Sequence, residues 1–171
     1  MGRADHSAGN GRRLEAMKSA NRSPSTGVIR SIDWQGIRRT RVAPLRFALY
    51  FIADDGRGFP LRQTLEPGTN RPKALYAVTY SMTDVNERPG VTQACDNSPQ
   101  EPCGSYDYSV VLPAPFSVVA GTRYWLMIQA ESSPSAPSSW LWRKGQPDNS
   151  FSVPSIANAT MPWDFAFALR P

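Results

Sequence analysis

The chain has 171 residues, 40% of them hydrophobic and 19% charged, with a formal net charge of +5. That length carries one domain with a real core and excludes two comfortable ones. The sixteen prolines and twelve glycines punctuate the chain too often for a helical protein and favour an all-β one. The charge is uneven: residues 1–60 hold eleven Arg/Lys against five Asp/Glu, and residues 61–171 hold eight against nine. Because the excess sits in an N-terminal tail and one turn, nucleic-acid binding is not expected.

Residues 1–26 combine low hydrophobicity, positive charge and no periodicity, which predicts a disordered basic tail. A short helix over 12–20 is the alternative, with only Leu14 and Met17 to bury. The folded domain is expected over 27–171. Its first strand runs Val28 to Trp34 and is broken at Gln35-Gly36, with Arg38, Arg39 and Arg41 in the turn that follows. The segment LRFALYFIA then alternates cleanly. Leu45, Phe47, Leu49 and Phe51 face inward, and Arg46, Ala48, Tyr50 and Ile52 outward. The cluster Asp54-Asp55-Gly56-Arg57-Gly58 ends it.

Ala74 to Tyr80 reads as a strand with Tyr76, Val78 and Tyr80 on one face. Ser81 to Gly104 reads as a long polar loop. It carries Cys95 and Cys103, whose even count, close spacing and lack of a neighbouring histidine fit a disulfide better than a metal site. A disulfide implies an oxidising compartment, hence an extracellular or cell-surface protein. The first 25 residues contain no apolar run of the seven or more that an export signal needs, so that signal is expected outside this chain. A cytosolic protein with two free thiols is the other reading. No stretch reaches transmembrane length.

Two strands follow within YDYSVVLPAPFSVVAGTRYWLMIQA. Tyr106, Tyr108, Val110 and Leu112 share one side of the first, which ends at Pro113-Ala114-Pro115. In the second, Tyr124, Leu126, Ile128 and Ala130 face inward, which sends Arg123, Trp125, Met127 and Gln129 to the opposite side. After a Ser/Pro loop, Trp140 and Trp142 share one side of a short strand. The last strand, Trp163 to Arg170, turns Trp163, Phe165, Phe167 and Leu169 inward. About seven or eight strands at this spacing predict an antiparallel two-sheet, jelly-roll-like β-sandwich, expected as a monomer.

The series Trp34 with Gly36, FALYFIADDGRGFP, Ala120-Gly121-Thr122 with Tyr124-Trp125, and Asp164-Phe165-Ala166-Phe167 resembles an uncharacterised β-sandwich module. Such modules occur in bacterial secreted and surface proteins, of the kind sorted by exosortases. The resemblance covers 28–170, and it implies the fold and a surface setting without implying any catalytic residue.

The residues themselves provide poorly for catalysis. The only histidine, His6, lies in the tail, which leaves no nucleophile–base pair. Paired carboxylates among Asp54, Asp55, Asp84, Glu87 and Asp107 support a carbohydrate-active hydrolase as the alternative. Asp54 and Asp55 are also candidate calcium ligands, though turn capping is the commoner role of such a pair. Otherwise no cofactor is expected. The first reading is a non-enzymatic structural or adhesive module that binds a glycan or a cell-surface protein. Trp125 would be the stacking ring, with Arg123, Gln129 and Met127 beside it. Binding of an anionic polymer through Arg38, Arg39 and Arg41 is the third reading.

Overall fold

The computed structural model describes residues 14–20, 26–38, 42–57, 60–61, 74–90, 93–95, 98–133, 140–142, 152–154 and 167–171. These form an antiparallel sandwich of two sheets. Its strands are β1 Leu14–Ala20, β2 Gly27–Arg38, β3 Arg46–Ala53, β4 Tyr76–Ser81, β5 Asn86–Pro89, β6 Gln93–Cys95, β7 Ser98–Val118, β8 Tyr124–Glu131, β9 Trp140–Trp142, β10 Ser152–Pro154 and β11 Phe167–Arg170. One sheet has the order β10-β1-β8-β3-β4. The other has β11-β2-β7-β5, with β9 on β2 and β6 on β7. Only the β3–β4 and β5–β7 connections stay within one sheet. The chain otherwise crosses between layers, so most strands next to each other in sequence lie in opposite sheets.

The inner faces meet in an aromatic core. Phe47, Leu49 and Phe51 of β3 and Leu126 and Ile128 of β8 pack against Ile32 and Trp34 of β2 and Tyr108, Val110 and Phe116 of β7. Trp34 stacks on Tyr108 with centroids 5.4 Å apart, Phe47 meets Trp34 edge-on at 5.3 Å, and Phe51 stacks on Phe116 at 4.2 Å. Such offset and edge arrangements suit the ring quadrupoles and add to the area buried. The predicted inward positions of β3, β4 and β8 lie in or against this core, except Leu45. That side chain is exposed, because the strand begins one residue later, where the Leu45 amide donates to the Glu131 carbonyl.

Local punctuation misled in four places. Between Ile29 and Ser31 the ladder of β2 with β7 shifts register, so Ile29 takes the inward place that strict alternation gave to Val28. The same irregularity explains how β7 runs through Pro113 and Pro115. Ile29 pairs Phe116 and Ser31 pairs Val111, so the prolines fall where β7 owes β2 no hydrogen bonds. At Gly36 the strand continues instead of breaking, and a Cβ there would overlap the Trp140 indole. Finally, 81–104 is not one loop: β5, β6 and the start of β7 lie within it. Pairing with β7 holds these pieces as strands although they lack apolar alternation.

The segment expected as a tail also supplies a strand. Leu14–Ala20 lies between β8 and β10, with Leu14 opposite Ala130 and Ala20 opposite Tyr124. Backbone pairing with a fully buried neighbour compensates for the weak apolar pattern of LEAMKSA.

Candidate functional site

The outer face of the five-stranded sheet is closed over β3 and β8, while the outward β4 residues Ala77 and Thr79 are exposed. Trp125 is 1% exposed and Met127 and Gln129 are 0% exposed. Trp125 and Met127 form a second apolar cluster with Ala48, Tyr50 and Ile52 of β3, against which Ala74 packs. The register accounts for the grouping: Trp125 is opposite Ile52, Met127 opposite Tyr50, and Gln129 opposite Ala48. The outward positions from Ala48 to Ile52 of β3 and from Trp125 to Gln129 of β8 are therefore a second core layer, and Trp125 is no open stacking platform. Arg123, at the start of this row, is half-buried, and its guanidinium lies 3.8 Å from Asp54 Oδ2.

Asp54 and Asp55 organise the turn after β3. Asp54 Oδ1 accepts the Gly56 amide at 2.9 Å, and Asp55 Oδ1 accepts the Arg57 amide at 2.8 Å. Gly56 has φ +81°, a conformation that glycine adopts without strain. Asp54 Oδ2 takes the Trp125 Nε1–H at 2.9 Å. Both oxygens of Asp54 thus serve the turn and the second core. Among the described residues no group of three metal-ligating side chains converges.

The other carboxylates are dispersed. Asp84 accepts the Ser81 hydroxyl at 2.6 Å, and Asp107 accepts the Gln35 amide at 2.7 Å. Glu87 pairs with Arg38. That pair was not legible in the sequence. Arg38 lies at the inward end of β2 and is 6% exposed. Its Nε donates to the Tyr108 hydroxyl at 3.3 Å, and its guanidinium lies 4.0 Å from the Tyr106 ring centroid. Burial pushes the Tyr108 phenol above its ordinary value, and the adjacent Arg38 charge offsets only part of that. Arg38 is committed to the interior. Arg39 and Arg41, its expected companions in an anion-binding turn, lie outside the described residues.

The outer face of the six-stranded sheet differs in kind. Across β11, β2, β7 and β5 the pairing sets Ala168, Asp33, Ser109 and Asn86 in one row, and Gln35, Asp107 and Arg88 in the next. Asn86 Nδ2 donates to Ser109 Oγ, and Arg170 pairs with Asp33. Val111, 75% exposed, borders the array. Asp33 and Asp107 balance Arg88 and Arg170, so the face is close to neutral and rich in both donors and acceptors. Asp107 and Ser109 follow from the alternation that puts Tyr106 and Tyr108 on the other side of β7; only pairing adds Gln35, Asn86 and Arg88.

The two cysteines lie on paired strands, with Cys103 opposite Gln93 and Cys95 opposite Ser98. Their side chains, like His6, Trp163 and Phe165, lie outside the described residues. No helix among the described residues is long and apolar enough to cross a membrane.

Over residues 47–169 the sequence matches the family described as Domain of unknown function (DUF7901). The chain belongs to this family. The match opens in β3 and closes in β11, so β1 and β2 precede it. Neither the curated proteins nor the solved structures provide a match.

Proposed function

We propose that the chain is a non-enzymatic structural or adhesive β-sandwich module of an extracellular or cell-surface protein, with the outer face of the six-stranded sheet as its working surface. The observation that carries this reading is the contrast between the two outer faces. The Trp125 row is buried in a second core, whereas the Asp33–Gln35–Asp107–Asn86 face is polar, near-neutral and backed by an aromatic core. A surface of alternating carboxylate, amide, hydroxyl and guanidinium groups suits the hydroxyls of a neutral glycan, which need paired donors and acceptors without net charge. The expected disulfide between Cys95 and Cys103 would fit the extracellular setting, and it would have to join residues of β6 and β7 that do not lie opposite each other.

A glycan array probed with the wild-type chain and with a Gln35→Ala/Asp107→Ala variant tests the site. The expected result is loss of binding with the melting temperature nearly unchanged. Equal binding by both proteins would remove this face as the site. Glycan cleavage by the wild type would replace the adhesive reading with a hydrolase.

A further inference from the structure

The strand β8 is buried on both faces from Tyr124 to Ala130. A strand in that position needs hydrogen-bonding partners along both edges, because its unpaired amides and carbonyls could not reach water. One edge is filled by β3, from Phe47 opposite Ala130 to Ala53 opposite Tyr124. The other is filled by β1 along its whole length, from Leu14 opposite Ala130 to Ala20 opposite Tyr124. The next strand out, β10, reaches the sheet only through β1, at Ala16, Met17 and Lys18. Removing β1 would open the entire edge of this doubly buried strand and release β10 with it.

The acceptor and the donor are unequal. The acceptor edge, YWLMIQAE, lies inside the family match, while the donor, LEAMKSA, precedes it. The donor carries Glu15, Lys18 and Ser19 among Leu14, Ala16, Met17 and Ala20, and its described attachment is its backbone pairing with β8 and β10. It also departs from a favourable place. Ala20 lies opposite Tyr124 and Gly27 opposite Val118, so the chain leaves β1 and enters β2 at one end of the sandwich, beside the 119–123 turn. There the Ala120 amide donates to Thr26 Oγ1. A strand joined at the end of the sandwich can leave its slot without threading through the fold.

We propose that β1 is an exchangeable donor strand, and that the vacated edge of β8 accepts Leu14–Ala20 of a second copy of this chain. A second copy is the fitting occupant because its strand reproduces the same register and the same hydrogen bonds, with no new complementarity required. Reciprocal exchange closes on a two-fold axis, and one-way exchange propagates head to tail. The monomer expected from the sequence is the closed form of the same molecule.

The test uses the full chain, incubated just below its melting temperature over a range of concentrations and sized by light scattering. The expected result is a dimer whose fraction rises with concentration and which persists on dilution. Met17→Pro removes a ladder hydrogen bond from the donor while leaving β8 intact. It should melt lower and fail to dimerise with itself. A synthetic peptide of residues 12–22 should restore its melting temperature; if the variant does not fold alone, the peptide should rescue its refolding. A wild type that stays monomeric at every concentration overturns the proposal. If the peptide nevertheless rescues Met17→Pro, the natural occupant is some other strand and not a second copy. A dimer that survives Met17→Pro forms through another surface and overturns it equally.

Discussion

The indole Nε1 of Trp125 donates to Asp54 Oδ2 at 2.9 Å, tying the most conspicuous outer-face aromatic to the turn that ends β3. The bond explains how a tryptophan at an outward strand position becomes core. Its polar end is satisfied by a residue that also caps a turn, and its ring is free to pack against Ile52 and Met127. Trp125→Ala should therefore cost about 3–5 kcal/mol, the usual range for deleting a buried large aromatic. Asp54→Ala should cost about 1–3 kcal/mol by leaving the indole donor and a turn amide without acceptors. Arg123→Ala, half-buried at the margin, should cost under about 1 kcal/mol. Chemical denaturation of the three variants checks the order. Similar small effects from all three would mean that this face is not a core.

Gly36→Ala should destabilise although alanine is the better strand former. The new Cβ would overlap the Trp140 ring, and overpacking of this kind costs about 1–3 kcal/mol. Pairing it with Trp140→Leu, which withdraws the ring, should recover part of the loss. Thermal melts of the single and double variants decide whether the contact is the cause.

The Arg38–Glu87 pair should behave as a unit. Arg38→Ala leaves a half-buried carboxylate without its partner and should be clearly destabilising, by about 2–4 kcal/mol once the partial exposure of Glu87 is allowed for. Arg38→Met with Glu87→Leu should be milder than the sum of the two single changes. A double-mutant cycle measures the coupling, and strict additivity would show that the two side chains act independently.

Alkaline pH should unfold the protein in a characteristic window. Burial, reinforced by neighbouring Tyr76, pushes the Tyr80 phenol from 10.0 up to about 12. The folded state thus holds this proton more tightly than the unfolded chain does. Its contribution is complete below pH 10 and is lost as pH rises toward 12. Tyr108 shifts in the same direction. Tyr80→Phe forfeits the hydrogen bond to the Val111 carbonyl, yet it should flatten the fall in melting temperature across this window. An unchanged slope would mean that Tyr80 is not a source of the alkaline sensitivity.

The cysteine pair is checked by intact mass. Reduction should add two hydrogens, as one disulfide requires. Two thiols alkylated in unreduced, air-exposed protein would contradict the pairing.

Along β3 from Phe47 onward, and along β8, period-two alternation settled which side of the strand each residue takes. Phe47, Leu49 and Phe51, and Tyr124, Leu126 and Ile128, lie in the inner core as their spacing demands, since successive side chains must point to opposite faces. Strand composition and frequent turns likewise determined the two-sheet antiparallel class. Alternation says nothing of what lies over each face. Only the tertiary structure decided that Trp125 and Met127 are buried while Asp107 and Ser109 remain outside.

Pairing was equally out of reach, because a strand is completed by backbone partners distant in sequence. That is why Leu14–Ala20, with its thin apolar pattern, is a strand at all, and why β7 passes through two prolines where β2 makes no demand on it. Arg38 followed from local context into a turn, yet it is buried because Glu87, Tyr106 and Tyr108 converge on it. A charge enters a protein interior only where such partners meet it, and their meeting is a property of the fold.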